Sequence, residues 1–93
     1  MTAEERLEIL KIDLGKATSA NDDLLKNLLI QAEEAMQKEG VKKEESTSYD
    51  MLIIQYAAYL FRKRAAPDST MPRFLRYQLI NMFFAQKGQA NDV

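Results

Sequence analysis

Three groups of carboxylates are the only residues in this 93-residue chain whose spacing invites a catalytic reading. Two carboxyl groups facing one cleft can divide the roles of acid and base. Glu33 and Glu34 are adjacent, and on a helix adjacent side chains point in different directions. Glu4 and Glu8 share a face, but at a helix start they compensate the helix dipole. Asp22-Asp23 reads the same way. No Gly-rich phosphate loop can be assembled from three scattered glycines. The chain contains no Cys and no His. That composition excludes thiolate nucleophiles, disulfides, thiolate or imidazole metal sites and the Ser-His-Asp triad. No catalytic residue, no metal ligand and no cofactor is therefore expected, and the chain reads as a binding protein rather than an enzyme.

A basic cluster invites a different chemistry. Arg62, Lys63, Arg64, Arg73 and Arg76 flank one turn between two helical segments, with Tyr77 nearby. The alternative reading is a small DNA-binding regulator of helix-turn-helix type. Against it, the connection from Ala65 to Ser69 exceeds the usual 3–4 residue turn. The second helix opens with Phe74 and Leu75 rather than exposed polar residues. The net charge of −1 gives little attraction to phosphate.

The elements that must position these residues are helices. A length of 93 residues sets one domain, 1–93, with a thin core for which oligomerisation is a common remedy. The expected fold is all-α, a compact bundle of about four helices near residues 2–13, 21–39, 48–64 and 70–87. Thr2 and Glu5 form a capping box, and Gly15 ends the first run. Asn21 or Ser19 caps the second helix, whose stripe of Leu24, Leu25, Leu28, Leu29, Ala32, Ala35 and Met36 stops before Gly40. A polar loop, Val41 to Thr47, leads to a third helix capped by Ser48. Met51 to Phe61 is apolar nearly all round, so this helix is expected to be the most buried. Ala66-Pro67 breaks it. The fourth helix starts near Ser69 or Thr70, carries Pro72 in its first turn and ends at Lys87, before Gly88. Residues 88–93 are expected to form a flexible tail.

Targeting and membrane signals are not found. The opening Met1-Thr2-Ala3-Glu4-Glu5-Arg6 does not resemble a secretory signal. The Met51–Phe61 stretch is interrupted by Gln55 and is shorter than a membrane span. The absence of Cys fits a reducing compartment.

Two features point to association. Helices three and four hold seven of the eight Phe and Tyr residues, with Tyr49 placed at the third helix's edge. This surplus of apolar surface reads as a subunit interface, or else as a tight monomer core. The charge is also split. Residues 1–50 hold 7 Lys/Arg against 12 Asp/Glu, and residues 51–93 hold 6 against 2. Identical copies could then pack head-to-tail, or the charges could pair across one fold. Arg73 and Arg76 at i, i+3 share a face suited to carboxylates of a neighbouring copy, or else are solvated arginines.

The segments Tyr56-Ala57-Ala58-Tyr59-Leu60-Phe61-Arg62-Lys63-Arg64 and Met71-Pro72-Arg73-Phe74-Leu75-Arg76-Tyr77-Gln78-Leu79-Ile80-Asn81 resemble the small head–tail connector proteins of tailed bacteriophages and prophages. So do Leu10-Lys11-Ile12-Asp13-Leu14, the acidic cap Asn21-Asp22-Asp23 and the Leu-rich second helix. The likeness covers about residues 4–87. It implies an all-helical, non-enzymatic head-completion or portal-adaptor subunit in the virion neck, assembled in the bacterial host cytoplasm. Its partners would be the portal protein, further copies in a ring, and the next connector, stopper or tail protein. DNA would only pass through the ring lumen, and no membrane would be involved. The candidate protein-interface residues are Arg73, Arg76, Tyr77, Phe84, Gln86 and Lys87. The last two belong to a docking arm, Ala85 to Val93, expected to order against the portal, or else to a frayed end.

Overall fold

The computed structural model describes residues 1–91, with side chains to Gly88. The chain is all-helical over these residues: α1 (Ala3–Leu14), α2 (Asp22–Lys38), α3 (Thr47–Ala65) and α4 (Arg73–Asn91). Each boundary has a local cause. Thr2 accepts the Glu5 N–H at 3.1 Å, and Glu5 accepts the Thr2 N–H at 2.9 Å, completing the capping box. At the other end of α1, Gly15 has φ +69°, and Lys16 N–H reaches back to the Lys11 carbonyl. The same device closes α2. Gly40 has φ +100°, and Val41 N–H bonds the Met36 carbonyl at 3.0 Å. Val41 and Met36 are both buried, as such a closure requires.

Several expected boundaries shift. Asn21 stands at the α2 cap position, but its side chain makes no capping bond. Helix α3 starts at Thr47 with Ser46 as its cap, not Ser48; Ser46 Oγ accepts the Tyr49 N–H at 3.1 Å. The reason is burial. The earlier start places Tyr49 inside the first turn, where its ring is fully enclosed. Tyr49 is therefore a centre of the core and not an edge residue. Helix α3 runs to Ala65, and Ala66 before Pro67 leaves the helical region, with φ −137° and ψ 80°. Helix α4 begins at Arg73, with Ser69 and Thr70 in the preceding connection and Arg76 N–H bonded to the Pro72 carbonyl. It continues through Gly88 to Asn91, where the sequence reading ends the helix at Lys87. Gln86, Lys87, Gln89 and Ala90 favour a helix and offset one glycine, which costs about 1 kcal/mol. The tail expected over 88–93 is thus helical to Asn91; Asp92 and Val93 lie outside the described residues.

Helix α3 is the hub, packed against the other three helices, while α1 and α2 also pack on each other. It runs parallel to α1, as the pairs Arg6–Asp50 and Arg62–Asp13 require, and antiparallel to α2. Leu52, Ile53, Ile54, Tyr56, Ala57 and Ala58 are buried along it, so it is the most buried helix, as its composition predicts. Leu60, inside the apolar Met51–Phe61 stretch, is only half-buried. Helix α4 contacts α3 over its N-terminal half and then runs past the start of α3 toward the α2–α3 loop. The molecule measures 48 × 31 × 18 Å, and its radius of gyration is 13.8 Å. A compact chain of this length would have about 12 Å.

Candidate docking surface

Helix α4 has two apolar faces. Leu75 and Leu79 are buried, with Met82 and Phe83 packed against the core. On the opposite side Phe74, Tyr77, Ile80 and Phe84 are 63, 57, 41 and 61% exposed. Positions 74, 77, 81 and 84 follow the 3–4 spacing of a helix-packing seam. Positions 73, 80 and 87 run beside it, so Arg73, Ile80 and Lys87 border one edge. Four aromatic and aliphatic side chains of about 200 Å² each, half exposed, leave roughly 400 Å² of apolar surface in one stripe. Helix α4 also contains no carboxylate, while it carries Arg73, Arg76 and Lys87.

Of the six candidate interface residues, Arg73, Tyr77, Phe84 and Lys87 gather on this outward face. Arg76 turns to the side and pairs with Glu39 at 3.2 Å within the same chain. Gln86 is directed away from the face. Its Nε2 donates to the Lys42 carbonyl at 2.7 Å and to Glu44 at 2.8 Å, and its Oε1 accepts the Lys42 N–H at 2.8 Å. Gln86 therefore ties α4 to the α2–α3 loop. Phe74 and Ile80 belong to the exposed stripe but are absent from the sequence candidates. The i+3 steps from Phe74 to Tyr77 and from Tyr77 to Ile80 were the available signal.

The anchoring of α4 is specific. A Cβ on Gly40 would lie 2.9 Å from the Phe83 ring, so the ring packs directly over the closing turn of α2. The Ser46 hydroxyl, foremost, and the Gln86 amide hold the Glu44 carboxyl below the usual glutamate value. These contacts fix which way α4 faces.

An open cleft of about 730 Å³ lies between the start of α1 and the α2–α3 loop, lined in part by Arg6, Glu44, Ser46 and Asp50. Arg6 and Asp50 are engaged with each other, and Ser46 with Glu44. Arg6 bonds the buried Asp50 through Nη2 at 2.7 Å and Nε at 2.8 Å. Arg6 also lies 3.5 Å from Glu33, which accepts the Tyr49 hydroxyl at 2.8 Å. Burial pushes the Tyr49 hydroxyl above its usual value, still further from neutral pH. This network joins α1, α2 and α3, and Lys43 and Glu45 also line the cleft. Among the described residues no cluster of carboxylates is arranged to hold a metal ion, and no helix is long and apolar enough to cross a membrane.

Comparison with protein-family profiles, curated proteins and solved structures gives no match to this chain.

Proposed function

We propose that this chain is a non-enzymatic assembly subunit, a phage or prophage head–tail connector that binds the portal protein as a ring. The ring extends the DNA channel and offers a docking surface to the next connector or tail protein. One observation carries the assembly reading. Helix α4 presents Phe74, Tyr77, Ile80 and Phe84 outward, on the side opposite its core contacts. Isolated exposed apolar residues need no explanation, but a continuous stripe bordered by cations marks an interaction surface. The resemblance of the segments around Tyr56–Arg64 and Met71–Asn81 to connector proteins supplies the kind of assembly. The seven-residue connection between α3 and α4, together with the apolar exposed face of α4, disfavours the helix-turn-helix alternative.

The test is attachment to DNA-filled heads. Wild-type protein is expected to bind them and to restore infectious particles in a strain lacking it. A Tyr77→Asp/Phe84→Asp variant is expected to keep its circular dichroism and to lose attachment. Failure of the wild-type chain to bind heads or purified portal, or tight binding to duplex DNA at physiological salt, sinks the connector reading. Deleting residues 88–93 separates a docking arm from a bare helix end: normal titres after deletion mean that the end has no part in docking.

A further inference from the structure

We infer that the outward face of α4 docks on the outer face of α2 in a second copy of this chain, head-to-tail. This deepens the assembly reading and rests on it for the many copies that meet at one place. The argument starts from charge. Residues 51–93 carry six Lys and Arg, and only two of them find a carboxylate of residues 1–50: Arg62 with Asp13, and Arg76 with Glu39. Pairing within the fold therefore leaves most of the split uncompensated. Arg73 and Lys87, at the two ends of the α4 stripe, have no carboxylate within ion-pair distance among the described residues; Lys87 lies 6.0 Å over the Phe83 ring.

The complementary surface is on α2. Its core side is Leu25, Leu28, Leu29, Ala32 and Met36. On the opposite side Asp23, Asn27, Ile30 and Glu34 recur at i, i+4, i+7 and i+11, and all four are exposed. Ile30 is a large apolar side chain 57% open to solvent, bracketed by two carboxylates that form no ion pair among the described residues. The reach of the two stripes agrees. Arg73 and Lys87 are 14 residues apart, about 21 Å along a helix, and Asp23 and Glu34 are 11 apart, about 16 Å. Two long basic side chains span the difference. Phe74, Tyr77 and Phe84 would then cover Ile30 while the cations meet the carboxylates. Helix α1 offers a poorer target, since Glu4 pairs with Lys26 and Glu5 caps its own helix, leaving only Glu8 beside Ile12.

Geometry decides the symmetry. Helix α4 meets the closing turn of α2 through Glu39 and Gly40, and its Phe74–Phe84 stripe faces away from the core, so one copy cannot bring that stripe onto its own Asp23–Glu34 face. Two different faces meeting make a heterologous contact, which propagates and closes into a ring only if the rotation permits. Roughly 400 Å² of apolar stripe is about half of what each partner buries in a stable interface, so a single contact is weak. Many contacts around a closed ring add up.

Sedimentation equilibrium of the purified chain tests this between about 10 µM and 1 mM, a range chosen for weak contacts. The wild-type mass is expected to rise above 10.7 kDa with concentration and to fall back in high salt. Arg73→Glu/Lys87→Glu and Asp23→Lys/Glu34→Lys should each weaken association at least about tenfold while keeping helical circular dichroism. Mixed in equal amounts, the two variants should associate again, because each reversed face meets its complement. A second, milder pair guards against misfolding: Phe84→Ser and Ile30→Ser should weaken association without new charge. A wild-type chain that stays at 10.7 kDa at about 1 mM overturns the inference. So does normal association of Asp23→Lys/Glu34→Lys, which would mean that α4 meets α4. Binding to anionic vesicles without self-association overturns it too. A monomer that still attaches to DNA-filled heads defeats this contact alone; association without head attachment defeats the connector reading alone.

Discussion

Gly40 carries two constraints that separate cleanly in mutants. Its φ of +100° is unfavourable for any side chain, and its missing Cβ makes room for Phe83. Gly15 has φ +69° and open space around it. Gly15→Ala should therefore destabilise by about 1 kcal/mol, and Gly40→Ala by that strain plus a steric term, about 2 kcal/mol or more in urea unfolding. Combining Gly40→Ala with Phe83→Leu should destabilise less than the two single changes added, since they share one contact. Glu44 gives a pH prediction. Its folded carboxyl is held below 4.5, so its bonds with Ser46 and Gln86 stabilise fully above that value and fade as pH falls through the lowered one. Gln86→Ala should move the Glu44 titration up toward the ordinary value, read by carboxyl NMR. An unchanged titration would remove Gln86 from the tie.

The two faces of α4 make opposite predictions for similar changes. Leu75→Ala or Leu79→Ala removes a buried side chain and should lower stability by about 2–4 kcal/mol. Phe84→Ser on the outward face should change it by no more than about 0.5 kcal/mol, although a larger ring is lost. Equal effects in thermal melts would mean that both faces of α4 are covered in the free chain. On α3, Ala58→Asp buries a charge with no partner and should prevent folding. Leu60→Asp is the gentler change, because Leu60 is half-buried and its carboxylate could reach water.

As a whole, the molecule is a three-helix body with a fourth helix leaning on one side of it. Helices α1, α2 and α3 share the Arg6–Asp50–Glu33–Tyr49 network and the central core. Helix α4 is held by α3, by the Phe83 contact at Gly40 and by the Gln86 tie. Local stability follows the density of such contacts. Amide exchange should therefore be faster over the C-terminal turns of α4 than over α3, and Gln86→Ala should speed exchange in α4 and the α2–α3 loop while sparing α1 and α2. Uniform protection along all four helices would show instead that the chain opens only as one unit.

The sequence alone carries the helical class, the four segments and most of their ends. Those properties are local: Thr2 with Glu5, Gly15, Gly40 and Ala66-Pro67 act within a few residues of themselves. It also exposed the excess of apolar residues in the second half. Where that excess goes depends on how the helices pack. Leu75 and Phe84 look alike in sequence, and the packing of α4 on α3 buries one and leaves the other outside. The same holds for the start of α3, where enclosing the Tyr49 ring selects Ser46 over Ser48 as the cap. It holds too for Arg76 and Gln86, which meet Glu39 and Lys42, partners 37 and 44 residues away. Periodicity states which residues share a face, but which face meets the core depends on contacts between distant segments.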